Sequence, residues 1–221
     1  MKIDNLVIGY LQLRKMIGFL GLALPLILII SNYILSKCNV VQMSISQYYY
    51  TSAGDLFVGT MAAISIFLFA YKGYNATDSM AGNIAAVFGL ATAIFPTNGK
   101  VPLPACNFEI SPYPFPDYFK QVHTASAVLF FLVLAYFSLF LFTKTNGEIT
   151  PEKRLRNRVY RICGFVIIAC LVVLAILFFV DSMMTKIAIY KPIFVLETII
   201  LWAFGISWLV KGEFILADSE K

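Results

Sequence analysis

Six uninterrupted apolar stretches dominate this chain, at residues 16–36, 54–72, 79–96, 123–142, 161–181 and 192–211. The hydrocarbon core of a bilayer takes about 20 mostly apolar residues per helix. Each stretch matches that length, and together they fill more than half of the 221 residues, leaving no room for a separate soluble domain. Composition agrees. Hydrophobic residues make up 60% and charged residues 13%, with a mean hydropathy of +0.81. Soluble domains are about 45–50% apolar and about 25% charged, so a soluble enzyme is excluded. Disorder is excluded because it requires low hydrophobicity. A secreted disulfide miniprotein is excluded because four Cys in 221 residues are sparse. Outer-membrane barrels are built from alternating segments about ten residues long, not continuous apolar runs. The expectation is an all-α polytopic membrane protein, a single six-transmembrane-helix bundle over residues 16–221.

Residues 1–15 precede the first stretch. Ile3, Leu6, Val7, Tyr10 and Leu11 follow helical spacing, while Lys2, Asp4, Asn5 and Gln12 fall elsewhere. That pattern predicts a short amphipathic helix lying on the membrane surface. The first apolar stretch is too long for a cleaved signal. Lys37 ahead of Cys38 also argues against a lipoprotein processing site, which needs small residues there.

Lys/Arg asymmetry sets orientation. With the N-terminus inside, the inner segments hold Lys2, Arg14, Lys15, Lys72, Lys144, Lys153, Arg154, Arg156, Arg158, Arg161, Lys211 and Lys221, twelve of the 17. The outer segments hold Lys37, Lys100, Lys120, Lys186 and Lys191. Both termini are therefore expected in the cytoplasm, with loops 37–53, 97–122 and 182–191 outside. Loop 97–122 contains Pro102, Pro104, Pro112, Pro114 and Pro116, with Pro96 at its start, so it reads as irregular but stiff. Cys38 and Cys106 both fall on the outer side, where a disulfide is chemically permitted. The alternative is two unrelated thiols. Cys163 and Cys170 read as small packing residues.

Ionisable groups within spans are costly and point to function. Asp55 opens the second stretch, His123 opens the fourth, Asp181 closes the fifth, and Glu197 lies about five residues into the sixth, some 7–8 Å deep. In the N-in topology all four sit in the outer half. They suggest an outward-facing polar cavity, roofed by Tyr48, Tyr49 and Tyr50 and by the Pro-rich loop. Each also has a structural reading. Asp55 can cap a helix, His123 can sit at an interface, Asp181 can mark the water boundary, and Glu197 can accept a structural hydrogen bond. His123 and Ser126 lie three residues apart on one face, so Asp55, His123 and Ser126 could form a nucleophilic triad. No nucleophile elbow supports it. A single His with carboxylates is a poor zinc set. No dinucleotide, P-loop or haem motif appears, and no cofactor or metal is expected.

Arg154, Arg156 and Arg158 form a basic run that could bind anionic headgroups, although an orientation signal explains it equally. Nucleic acid is disfavoured, because the run is short and lies at the bilayer. Ala81, Ala85 and Gly89 form a small-residue stripe suited to close helix packing. Trp202 and Trp208 read as packing or belt residues.

The string Ser44-Ile45-Ser46-Gln47-Tyr48-Tyr49-Tyr50-Thr51, followed by Asp55-Leu56-Phe57-Val58-Gly59, carries a resemblance. So do Phe95-Pro96-Thr97, Leu134-Ala135-Tyr136-Phe137-Ser138-Leu139-Phe140, Tyr160-Arg161-Ile162-Cys163-Gly164 and Gly205-Ile206-Ser207-Trp208-Leu209-Val210-Lys211-Gly212. From residue 15 onward the chain resembles a group of bacterial six-span proteins of unknown function. The resemblance implies a bacterial inner-membrane protein and no particular reaction. In span count and outer Ser/Asp segment only, the chain is also similar to Frag1/DRAM-type membrane proteins linked to lipid handling.

Three functions follow as expectations. The first is binding or processing of a lipid or other amphiphile at the outward cavity, through Tyr48, Tyr49, Tyr50, Asp55, His123, Ser126, Asp181 and Glu197. The second is a small-solute, ion or proton transporter or channel, which needs polar residues through the inner half, where Ser65, Asn83 and Ser138 are few. The third is a non-catalytic scaffold or sensor subunit, docking a membrane partner or a second copy. Membrane lipids are the expected partners in every case.

Overall fold

The computed structural model describes residues 2–97, 116–145, 147, 149–180 and 187–217. It is about 80% helical, with no strand among the described residues. Six long helices account for the fold: α1 (Lys2–Ser36), α2 (Gly54–Ala70), α3 (Ala76–Ile94), α4 (Tyr118–Tyr136), α5 (Pro151–Phe179) and α6 (Pro192–Lys211). Each coincides with one apolar stretch. The residues read as a surface helix continue without a break into the first stretch as α1.

Among the described residues, four helical segments are long and apolar enough to cross a membrane: Gly9–Ser36, Tyr118–Leu141, Pro151–Phe179 and Ala188–Lys211. Helix α2 is apolar but has 17 residues, about 25 Å of helix against a hydrocarbon core of about 30 Å. Helix α3 has 19 residues, but Asn83, Asp78 and many small side chains dilute it.

Local chemistry sets several boundaries. Asn75 Oδ1 accepts the Asp78 N–H at 3.0 Å and caps α3. Thr150 Oγ1 accepts the Lys153 N–H at 3.1 Å, and Pro151 occupies the first turn of α5. Pro192 opens α6 in the same way. A π-helical turn, Phe137–Leu141, ends α4.

Neighbouring helices pack in chain order, and α6 closes back onto α1, so the six form a ring. The closure rests on glycines. A Cβ at Gly18 would meet the Gly205 carbonyl at 2.9 Å, and one at Gly205 would meet the Gly18 carbonyl at 2.8 Å. The α2–α3 seam is equally tight, with Ala81, Ala85 and Gly89 all buried. The centre is aromatic. Trp208 is fully buried and packs on Tyr71, Phe137 and Phe142 with centroids 5.1, 5.6 and 5.0 Å away. Ser138 donates to Ser207 at 3.0 Å within that interior. Trp202 lies exposed and donates to the Leu22 carbonyl at 3.2 Å.

Candidate functional site

The tyrosine-bearing end of the ring holds Asp55, His123 and Glu197, three of the four ionisable residues singled out from sequence. Glu197 is half-buried, and its Oε2 accepts the Ile45 N–H at 2.6 Å. One turn earlier the Phe194 N–H donates to the Met43 carbonyl at 2.9 Å. The 3₁₀ turn Ser46–Tyr50 is thereby fastened to α6. Tyr48 is fully buried beside Phe194, centroids 6.2 Å apart, with the Gln42 backbone beside its hydroxyl. Burial pushes that phenol up to about 12. Burial raises Tyr50 as well, and its hydroxyl donates to the Thr97 carbonyl at 2.6 Å. Tyr49 packs edge-on against Tyr50.

His123 is buried, and its Nδ1 donates to the Phe95 carbonyl at 2.8 Å. Ser126 is buried one turn along, and Asp55 is exposed at the start of α2. Among the described residues no hydrogen bond or ion pair joins Asp55, His123, Ser126 and Glu197. The backbone occupies both Glu197 and His123 instead. Asp181 lies outside the described residues. Cys38 is buried and disulfide-bonded, Cys163 and Cys170 are free and buried, and Cys106 lies outside the described residues. No group of three or more His, Cys, Asp or Glu side chains comes together among the described residues to hold a metal ion.

The opposite end carries a cavity of about 300 Å³. Arg14 reaches it from α1, Tyr74 from the α2–α3 turn, Thr145 and Thr150 from the α4–α5 connection, Lys153, Arg156 and Tyr160 from α5, and Lys211 from α6. Tyr74, Thr145, Thr150 and Glu213 are exposed and form its mouth; Lys153, Arg156, Tyr160 and Lys211 are buried and form its floor.

Backbone carbonyls fix three of the four cations. Arg14 Nη1 donates to the Lys211 carbonyl at 3.3 Å, Lys153 Nζ to the Phe142 carbonyl at 2.8 Å, and Arg156 Nη1 to the Leu216 carbonyl at 3.1 Å. Among the described residues, Arg14 Nε is buried with no acceptor. Lys211 is 8% exposed, and its Nζ faces two rings, Tyr74 at 5.1 Å and Phe142 at 5.6 Å from the centroids. Beside the chamber, Asp78 is 1% exposed and receives the Lys144 ammonium at 2.5 Å and the Tyr74 N–H at 2.9 Å. That pair is closed and neutral.

Helix α5 splits the basic run. Lys153, Arg156 and Tyr160 fall on its inner face, while Arg154, Arg158 and Arg161 are exposed on the other, around a cavity of about 230 Å³ with Asn157. Arg156 therefore belongs with the chamber rather than with Arg154 and Arg158. From the sequence, Arg14, Lys153 and Lys211 were not expected to be site residues, and neither were Asp78 and Tyr160. The available signal was helical spacing in the α5 run, together with a lysine closing the last apolar stretch. No protein-family model, no curated protein and no solved structure matches the chain.

Proposed function

We propose that this chain is a multi-pass membrane protein that binds an amphiphile through an anionic headgroup held in the basic chamber. The burial of Lys211 against the Tyr74 and Phe142 ring faces, among Arg14, Lys153 and Arg156, carries the reading. An ammonium removed from water costs several kcal/mol unless an anion or hydrogen-bond acceptor compensates it. Four cations converging on one hollow repel one another, and an anionic ligand relieves that repulsion.

All six helices span in this reading, with α2 and α3 shielded between longer neighbours. The N-terminus is inside, and the chamber opens at the cytoplasmic headgroup level. Two observations support that sidedness. The Lys/Arg excess lies at the chamber end, and the disulfide-bonded Cys38 follows the far end of α1, as expected in an oxidising compartment. We take Cys106 as its partner, tying loop 97–122 to the 37–53 segment. The bacterial inner membrane is the location implied by the resemblance.

The test is thermal unfolding of the full chain in phosphatidylcholine nanodiscs, with and without a minor fraction of anionic lipid. Ligand binding raises the melting temperature by mass action. Anionic lipid is expected to raise it for the wild type and not for Lys211→Met. Equal melting in both lipid mixtures overturns the reading.

The fully buried Tyr48 favours a second reading, an amphiphile site at the outward end with Glu197 and His123 beside it. Unchanged amphiphile binding after His123→Ala with Glu197→Gln overturns that one.

A further inference from the structure

The outer face of α5 stands apart from the chamber. Arg154, Arg158 and Arg161 recur at four- and three-residue spacing, so they share one helical face, and all three are exposed. The same face runs on into Ile162, Phe165, Val172 and Ile176, all exposed, with small Ala169 leaving a notch between them. No charged residue interrupts Ile162–Phe179. That segment is about 27 Å of helix, close to a hydrocarbon thickness of about 30 Å. With it in the hydrocarbon, Arg161 stands at the edge and Arg154 about 10 Å further out, in the headgroup layer. Ile149, Arg154, Asn157, Arg158 and Arg161 enclose a hollow of about 230 Å³ at that level.

The chemistry and the placement agree. Guanidinium forks hold phosphate oxygens in pairs. Each carries five N–H donors, so one partner elsewhere does not exhaust it. An orientation signal needs only positive charge in the connection. It does not need the arginines in line with a lipid-facing apolar stripe. An acidic soluble protein would reach the arginines but not the stripe below them, which lies in hydrocarbon.

We infer that this face of α5 binds an anionic glycerophospholipid of the bilayer, with its phosphate in the hollow between Arg158 and Arg161 and an acyl chain along Phe165 and Ala169. It is a second site, separate from the chamber, and it rests on α5 crossing the bilayer. All three arginines belong to one helix, so the site survives separation of the helices and leaves the melting temperature unmoved. It is open to the bilayer and exchanges its lipid freely, so detergent empties it.

The test uses a local reporter. Phe165→Trp places an indole one turn below Arg161, and the emission of the parent protein is subtracted. The full chain is reconstituted in phosphatidylcholine bilayers with a fixed minor fraction of phosphatidylglycerol, and each lipid is brominated in turn. Quenching is expected to show phosphatidylglycerol enriched at the reporter on the order of fivefold over its bulk fraction, the equivalent of one arginine contact. Arg154→Gln, Arg158→Gln and Arg161→Gln together are expected to abolish the enrichment. Arg154→Lys, Arg158→Lys and Arg161→Lys together are expected to keep most of it, which separates lost charge from lost folding. Salt at roughly 1 M, where the Debye length falls to about 3 Å, is expected to erode it with no substitution in the face. No enrichment in the reporter protein overturns the inference, and so does enrichment that survives the three Gln substitutions. Neither result bears on the chamber, whose melting-temperature test reads other residues.

Discussion

Lys211 lies buried at the chamber floor against the faces of Tyr74 and Phe142, crowded by Arg14, Lys153 and Arg156. Such contacts recover about 2 kcal/mol when desolvated, less than the several kcal/mol of lost hydration. Lys211→Met should therefore raise the stability of the ligand-free protein by about 1–2 kcal/mol, read by denaturant unfolding in micelles, while destroying anion binding. Glu197 makes the reverse case. Its carboxylate accepts one backbone N–H, a task an amide oxygen also performs. Glu197→Gln should unfold close to the wild type, whereas Glu197→Ala should lose about 1–3 kcal/mol by orphaning that donor. Equal losses in both variants would mean that the charge itself matters. Tyr48 sets an alkaline limit. Its phenol is raised in the folded state, from 10 to about 12, so its contribution is intact below pH 10 and is lost as pH climbs toward 12. The difference corresponds to roughly 3 kcal/mol. Tyr48→Phe should flatten the fall in stability over that window, as monitored by tyrosinate absorbance together with unfolding.

At the scale of elements, the six apolar runs marked where the described long helices lie, and four of those helices are long and apolar enough to cross a membrane. The small-residue stripe was legible for a related reason, since Ala81, Ala85 and Gly89 recur on one helical face. Grouping Arg154, Arg156 and Arg158 as one patch went astray because adjacency in sequence is not adjacency on a helix, where neighbours lie three or four residues apart. The closing seam was not legible either. Gly18 and Gly205 lie in different stretches, and nothing local marks each as the other's partner. Gly205→Leu should push α6 off α1, costing about 1–3 kcal/mol and measurable as a lowered melting temperature. A neutral outcome would mean that the seam has room to give.

At the scale of the whole molecule, the chamber is assembled from residues 14 to 213, drawn from three helices, two connections and the segment after α6. No window of sequence contains it, which is why the ionisable residues inside the apolar stretches drew attention first and the flanking charges did not. Ring closure brings those flanks together. In the proposed topology the two ends face different compartments. Asp55→Cys should react with an impermeant maleimide added outside intact cells, and Arg154→Cys only after the membrane is opened; the opposite pattern would invert the orientation. The central claim is that an anionic headgroup occupies the basic chamber. Native mass spectrometry of the detergent-purified wild type, beside Arg14→Gln with Lys211→Met, measures this most directly. The account predicts one tightly held anionic lipid on the wild type that the double variant sheds. The same adduct retained with equal strength on both proteins would contradict it.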